Sequence, residues 1–136
     1  QLGKCERFWK ARDRIAALYD EGFRDLPEII RPQAEAHVQH AWHLYVVQLD
    51  LDRLRIGRNE FIERLQQAQV GCSVHFIPLH LHPYYRDAYG HHPSDFPTAQ
   101  TVAQRIVSLP LYPRMTEQDI QRVISAVRDI VQEHRR

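Results

Sequence analysis

The placement of proline constrains this sequence more than any other feature. Six of its eight prolines stand between residues 78 and 113. Each proline fixes its own φ and lacks the N–H group that helices and sheets use. The six are Pro78, Pro83, Pro93, Pro97, Pro110 and Pro113. We therefore expect several loops of fixed geometry in this stretch, separated by short elements.

Apolar residues at three- and four-residue steps predict a helix over residues 4–20 and another over 58–69. Gly22 and Gly71 follow them as the expected stops. The apolar side of the first helix is formed by Cys5, Phe8, Trp9, Ala16 and Tyr19. Because this helix starts without a capping residue, we expect the chain to be part of something longer.

Three further helices are predicted in the second half of the chain. A short one covers residues 84–89. Ser94 or Asp95 is expected to cap the next helix, with Pro97 in its first turn, where a missing N–H costs nothing. Thr116 begins the last helix.

Strands are predicted over residues 42–49, 72–77 and 106–109, where aromatic and β-branched residues are frequent. A short extended piece is expected around residues 29–30, inside a connecting loop. The order of elements predicts an α+β fold, a small sheet packed with helices on one face.

Composition limits the function classes. The 136 residues suffice for one compact domain and not for two. The net charge is +1 with acids and bases interleaved, which gives little support to a nucleic-acid partner. No apolar run approaches the ~20 residues that span a bilayer, so we expect no membrane partner. Cys5 and Cys72 are expected to be buried, reduced thiols of a cytoplasmic protein.

Motifs for catalysis are missing from the sequence. It has no G-x-S-x-G motif and no phosphate-cradling glycine loop. Its only lysines, Lys4 and Lys10, lie on the opening helix without an evident desolvated site, so neither is expected to form a Schiff base. The nine histidines occur mostly as isolated pairs and match no zinc-ligand spacing. We expect no catalytic residue and no metal ligand within the chain.

The segment H-F-I-P-L-H-L-H-P-Y-Y at 75–85 is the most informative part of the sequence. A predicted strand ends there in a loop crowded with imidazole and aromatic rings, and such loops often carry ligand contacts. His75 could donate a hydrogen bond to an anionic or hydroxyl group. The alternative is structural: Phe76 and Ile77 pack in the core while His75 caps a backbone group.

Three motifs occur in a familiar order: H-A-W-H-L-Y at 40–45, V-H-F-I-P-L-H-L-H-P-Y-Y at 74–85, and S-L-P-L-Y-P-R-M-T at 108–116. Together they resemble the C-terminal part of the DegT/StrS sugar aminotransferases. The helix that begins with residues 1–12 is similar to the one joining the large and small domains in that family. The resemblance covers essentially the whole chain.

This resemblance implies a fold-type I, pyridoxal 5'-phosphate (PLP)-dependent enzyme that works as a homodimer. Such enzymes transfer an amino group, usually from glutamate, to a keto-sugar nucleotide, and the resemblance points to C4 as the position. The resemblance divides the chain into a linking helix over residues 1–24 and a small domain over residues 25–136. The family's lysine motif lies in the large domain, which would hold PLP, so this chain alone is expected to be inactive.

The resemblance also implies candidate contacts with the sugar substrate. His75 matches the family's histidine in the loop that faces the active site and is expected to touch the sugar or its phosphates. Phe76 stands where the family often has tyrosine, so one hydroxyl contact is lost. His80 and Tyr84 are further candidates. The segment 108–113 is expected to be structural, an edge strand with alternating apolar residues.

Two other classes remain open. One is a free-standing ligand- or metal-binding α+β module that uses the histidine-rich loop. The other is a non-catalytic oligomerisation domain. The amphipathic opening helix argues against a free-standing module, because it would expose Phe8 and Trp9 if nothing covered it.

Overall fold

The computed structural model describes residues 2–136. Within them the chain order is α1 (Cys5–Gly22), β1 (Ile29–Ile30), β2 (Tyr45–Leu49), α2 (Arg58–Gln67), α3 (Pro83–Tyr89), α4 (Pro97–Arg105), β3 (Ile106–Leu109) and α5 (Glu117–His134). This order confirms the α+β prediction of a small sheet packed with helices. None of the helices in the described part is both long and apolar enough to cross a membrane.

The three strands form one antiparallel sheet in the order β1–β2–β3. In the central strand β2, Leu49 pairs with Ile29 and Tyr45 pairs with Leu109. Side chains alternate between the faces of a strand, and in β2 the buried ones are Tyr45, Val47 and Leu49. One face of the sheet therefore carries the main core.

Helices α1, α2 and α5 supply much of the rest of that core, and residues of the connecting segments complete it. The largest share comes from α5, whose buried residues are Ile120, Val123, Ile124, Ala126, Val127, Ile130 and Val131. A fully buried branched side chain contributes about 1.5–3 kcal/mol. The start of α5 is capped as predicted, because the Asp119 N–H donates to the Thr116 hydroxyl and the Asp119 carboxylate accepts from the Thr116 N–H.

An aromatic layer joins α1 to the sheet. The rings of Tyr19 and Tyr45 lie edge to face, 5.1 Å apart. The Tyr19 hydroxyl donates to the carbonyl of Pro110 at 2.8 Å, and the Tyr45 hydroxyl donates to Asp20 at 2.6 Å. Burial raises the pKa of both phenols. Because each hydroxyl has an acceptor, these rings are buried without leaving a polar group unpaired.

The exposure of the two cysteines differs from the prediction that both are buried. Cys5 is exposed because it stands in the first turn, away from the core, whereas Cys72 is half-buried. Burial raises the pKa of the Cys72 thiol. Phe8 and Trp9 are half-buried, and the Trp9 indole N–H donates to the carbonyl of His40 at 2.9 Å. The chain thus covers these two rings in part.

Two element ends differ from the sequence prediction because non-glycine residues adopt a left-handed backbone. Trp42 has a φ of 46°, so β2 starts later than expected, at Tyr45. Gln69 has a φ of 59° and turns the chain after α2, ahead of the stop expected at Gly71. Neither conformation is common for such residues, and pattern reasoning does not anticipate it.

The predicted cap of α4 is wrong. Phe96 occupies the N-cap position, and neither Ser94 nor Asp95 caps the helix. Residues Pro93–Asp95 form a separate 3-10 turn instead, in which the Asp95 carboxylate accepts from the His92 N–H at 2.8 Å. Pro97 stands in the first turn of α4, as predicted.

The strand predicted over residues 72–77 does not form. Only Ser73 pairs with β3, through an isolated bridge to Ser108. Beyond it the His75 side chain turns back to the Ser108 hydroxyl, and Pro78 has no N–H to continue a ladder. High β-propensity in this segment is therefore overridden by its contacts.

Close packing of α1 against α5 generates a stability prediction. A Cβ added at Gly22 would lie 2.8 Å from Cδ1 and 2.9 Å from Cγ2 of Ile124. We expect Gly22→Ala to lower the free energy of unfolding by about 1–3 kcal/mol, although helix propensity alone favours alanine by about 1 kcal/mol. Urea denaturation measures the difference.

The matched control is Gly71→Ala, since a Cβ there would meet nothing within 4 Å. It should change stability by less than about 1 kcal/mol. In an Ile124→Ala background the cost of Gly22→Ala should disappear. An equal cost in both backgrounds would show that the clash is not its cause.

Candidate functional site

The segment that follows α2 lies beside β3, at the edge of the sheet, where Ser73 forms an isolated bridge with Ser108. Val107 and Leu109 of β3 belong to that core, so Ser108 between them points to the second face. The Ser73 N–H donates to the Ser108 carbonyl at 3.1 Å, and the Ser108 N–H donates to the Ser73 carbonyl at 2.8 Å. All four residues of β3 are buried, contrary to the expected alternation, because both faces are covered.

His75 is held by side-chain hydroxyl groups. Its Nδ1 lies 2.8 Å from the Ser108 Oγ and 3.4 Å from the Ser73 Oγ. The ring is half-buried, and its Nε2 has no hydrogen-bond partner within residues 2–136. The partner of His75 is thus a hydroxyl and not the backbone group that the structural alternative expected. One ring nitrogen is fixed and the other remains available.

Phe76 lies against His75, with 4.7 Å between the ring centroids, and 74% of it is exposed. Ile77 is also largely exposed, so the expectation that both pack in the core is wrong. Phe76 lines a cavity of about 460 Å³ on this side of the molecule. Its walls come from Arg58, Val74, Phe76, Ile77, Pro78, Leu81, Gln100, Ala103 and Gln104. The cavity is mainly apolar, with one cationic side chain.

His80 lies in a second, adjoining cavity of about 370 Å³, and Pro78 lines both. Only 6% of His80 is exposed, and its buried Nε2 has no partner within the described residues. Its ring stacks at a tilt on Phe96, 4.8 Å between centroids. A buried nitrogen without a partner next to a cavity is a place where a ligand or another chain could supply the missing group.

Tyr84 lies outside both cavities. It is 67% exposed, and its ring contacts Tyr85 at 5.3 Å and Tyr89 at 6.4 Å between centroids. The structure therefore brings His75 and Phe76 together, places His80 in the neighbouring cavity, and leaves Tyr84 on an exposed aromatic patch.

Sequence reasoning missed two residues of this region. Ser108 was placed in a structural strand, and Arg58 only at the start of a helix. A lone serine inside an otherwise apolar strand could have pointed to the first, since a buried hydroxyl needs a partner. Arg58 gives no such pattern, because its approach to the segment depends on how α2 packs.

A larger cavity, of about 550 Å³, lies between the end of α1 and the loop after β1. Its walls include Asp20, Arg31 and Trp42, and none of the histidine-loop residues. The Arg31 guanidinium already donates to the Asp20 carbonyl at 2.9 Å. This cavity is therefore separate from the candidate site.

The geometry can be compared with known proteins. The model of the DegT/DnrJ/EryC1/StrS aminotransferase family matches residues 1–128. The chain belongs to this family.

Among its relatives, an uncharacterized protein of Methanocaldococcus jannaschii, MJ1066, is 50% identical over 99% of this chain and 35% of its own length. The spore coat polysaccharide biosynthesis protein SpsC of Bacillus subtilis is 44% identical over 96% of this chain and 34% of its own. The crystal structure of the aminotransferase TlmJ from Streptoalloteichus hindustanus is similar with a TM-score of 0.84, at 28% identity over 98% of this chain and 34% of that one. The chain spans about a third of the length of these relatives.

The lysines of this family member do not fit a PLP site. Lys10 is 69% exposed and pairs with Glu6 at 3.6 Å, and Lys4 is exposed at the start of α1. A lysine that binds PLP covalently needs a desolvated, positioned amine. Neither lysine has one.

The described residues of this chain do not form a metal site. Within residues 2–136 no three side chains of the His, Cys, Asp or Glu type come close enough to hold a metal ion together. A zinc site needs three or four converging ligands. The family match over residues 1–128 favours the aminotransferase over a free-standing metal-binding module.

A zinc titration tests this interpretation. We expect the chain to release no heat above the buffer blank when zinc is added in an isothermal calorimeter, because its histidines do not converge. His91 lines the same cavity as His80. Saturable zinc binding that disappears in His80→Ala or His91→Ala would restore the metal-binding module.

Proposed function

We propose that this chain is the C-terminal small domain of a PLP-dependent aminotransferase that acts on a nucleotide-linked keto sugar. Residues 1–24 contain the helix that links it to the large domain, and residues 25–136 form the small domain. Membership of the family and coverage of about a third of its relatives support this assignment. The observation that carries the substrate role is the imidazole of His75, fixed on one side and free on the other.

In this proposal His75 binds the sugar or its phosphates through Nε2. Its Nδ1 is occupied by the Ser108 hydroxyl, so the free nitrogen is the one that can reach a ligand. The neighbouring ring of Phe76 limits how far the imidazole can rotate. A side chain held in this way loses little conformational entropy when it binds.

The cavity of about 460 Å³ that Phe76 lines suits a negatively charged ligand with an apolar part. Phe76 and Ile77 offer apolar surface, while Arg58 provides the only cationic group among the described residues that line it. A guanidinium matches the geometry of phosphate oxygens. We propose that Phe76 contacts the sugar and that Arg58 stands nearest to the diphosphate.

His80 and Tyr84 have secondary roles in the proposal. The unpaired Nε2 of His80 lies beside the second cavity and can take a polar group that enters it. The Tyr84 hydroxyl is exposed and can reach substrate only where another part of the enzyme closes over it.

The remaining parts of the reaction belong to sequence outside this chain. We propose that the large domain holds PLP, whose chemistry is to stabilise negative charge next to the transferred nitrogen. Glutamate is the proposed amino donor, C4 the proposed position, and the full-length enzyme works as a homodimer in the cytoplasm. Nucleic acid and membrane are not among the proposed partners. The small domain covers the active site and is inactive alone.

The role of His75 is tested in the full-length enzyme. We expect His75→Ala to raise KM for the nucleotide sugar about tenfold or more, because one hydrogen bond to a charged group is worth about 1.5–3 kcal/mol. PLP absorbance should stay unchanged. His43→Ala alters an exposed histidine and is the matched control. Unchanged kinetics in His75→Ala would make His75 structural.

The location of PLP is tested with the isolated chain. After incubation with PLP and removal of the excess, we expect no cofactor absorbance to remain, because both lysines are exposed amines. Mass spectrometry after borohydride reduction provides the second measurement. A stoichiometric PLP adduct on Lys4 or Lys10 would contradict the proposal.

A further inference from the structure

We propose that Ser108 is a positioning residue whose buried hydroxyl holds His75 in the tautomer that carries its proton on Nε2. The consequence for substrate binding rests on the function proposed above. The tautomer itself is a property of this chain and can be measured without substrate.

The first argument is the burial of the Ser108 hydroxyl. Ser108 is only 3% exposed, and its Oγ lies 2.8 Å from the His75 Nδ1. Within residues 2–136 that nitrogen is its one hydrogen-bond partner. A buried hydroxyl whose proton has no acceptor costs about 1–3 kcal/mol. The Ser108 proton therefore points at Nδ1, which must then be the unprotonated nitrogen.

The second argument is the surroundings of Nδ1. The Ser73 Oγ lies 3.4 Å from the same nitrogen and is also able to donate. Two hydroxyl groups thus face Nδ1, and no carbonyl or carboxylate oxygen of the described residues bonds to it. This environment suits a nitrogen lone pair better than an N–H group. A neutral imidazole with a lone pair on Nδ1 keeps its proton on Nε2.

The backbone fixes the distance between these groups. Ser108 pairs with Val46 of β2 on one side and is bonded through both backbone groups to Ser73 on the other. The hydroxyl therefore stands on a paired strand, and the loop that carries the imidazole is anchored to that strand two residues earlier, at Ser73. Positions set by strand pairing hold a side chain more precisely than loop positions do.

The consequence is a defined hydrogen-bond polarity at the free edge of His75. With its proton on Nε2, the ring donates to an oxygen of a sugar hydroxyl or a phosphate. In the other tautomer, Nε2 would present a lone pair to that oxygen. Ser108 thus governs whether His75 can bind an acceptor, although Ser108 is itself buried.

Nitrogen NMR of the ¹⁵N-labelled chain, at a pH where the ring is neutral, tests the tautomer directly. The His75 signals are assigned by their loss in His75→Gln. We expect Nδ1 to have the shift of an unprotonated ring nitrogen and Nε2 that of a protonated one. A protonated Nδ1 in the unaltered chain would overturn the proposal by itself.

Variants separate the hydroxyl from its surroundings. In Ser108→Ala we expect the ratio of the two tautomers to fall about threefold to tenfold, and Ser108→Thr should retain it because the hydroxyl is kept. Ser73→Ala should have a smaller effect, and Ser125→Ala, on the exposed side of α5, none. An unchanged ratio in folded Ser108→Ala would overturn the proposal. If that variant does not fold, the tautomer of His75 measured in the unaltered chain and in Ser108→Thr still tests the proposal.

The full-length enzyme separates this inference from the proposed function. We expect Ser108→Ala to raise KM for the nucleotide sugar with little change in PLP absorbance, and Ser108→Thr to restore it. A changed tautomer without any change in KM would refute the substrate role of His75 and leave the positioning role standing. An unchanged tautomer together with a raised KM would refute the positioning role alone.

Discussion

The hydrogen bond from Tyr19 to the carbonyl of Pro110 connects the two halves of this structure. It ties the buried side of α1 to the residue directly after β3. β3 carries Ser108, and Ser108 holds His75. The position of the candidate substrate contact therefore depends on a phenol on another element, more than fifty residues earlier in the chain. The Tyr19 hydroxyl is satisfied within the core, which is why this connection can be both buried and rigid.

Some buried polar atoms outside the apolar core lack a hydrogen-bond partner among the described residues. On the core face, branched and aromatic side chains pack against three helices. Two of the atoms without a partner in the described part of the chain belong to Arg12 of α1 and His134 of α5, and the other three belong to Arg58, His80 and Gln100. These three line the two adjoining cavities. Such groups are costly unless something else supplies their partners. That cost is a physical reason to expect ligand or large-domain contacts at these two cavities.

Sequence patterns predicted the elements whose stability is local. The helix of α5, its cap at Thr116 and the edge strand before Pro110 follow from periodicity, capping and proline geometry. The prediction of a strand over residues 72–77 was wrong. In this segment His75 contacts Ser108, which is far away in the chain, and a local pattern does not contain that contact. For the site, the resemblance to a family pointed to His75 and Phe76, while Ser108 and Arg58 emerged only from packing. Periodicity describes which side of an element is buried and carries no information about which distant side chain completes a hydrogen bond.

Phe76 bears on the specificity of the proposed enzyme. A tyrosine there would offer a hydroxyl to the substrate, and a substrate lacking the matching group would leave that hydroxyl unpaired. Phenylalanine removes this means of rejection and replaces it with an apolar wall, which discriminates weakly between sugars that differ by one hydroxyl. In the proposed enzyme, selectivity would then fall to side chains with a fixed hydrogen-bond polarity, and we propose His75, held by the buried Ser108, as one of them. The stiffness of the Ser108 contact therefore matters more here than it would beside a tyrosine, because fewer polar contacts share the recognition of the sugar.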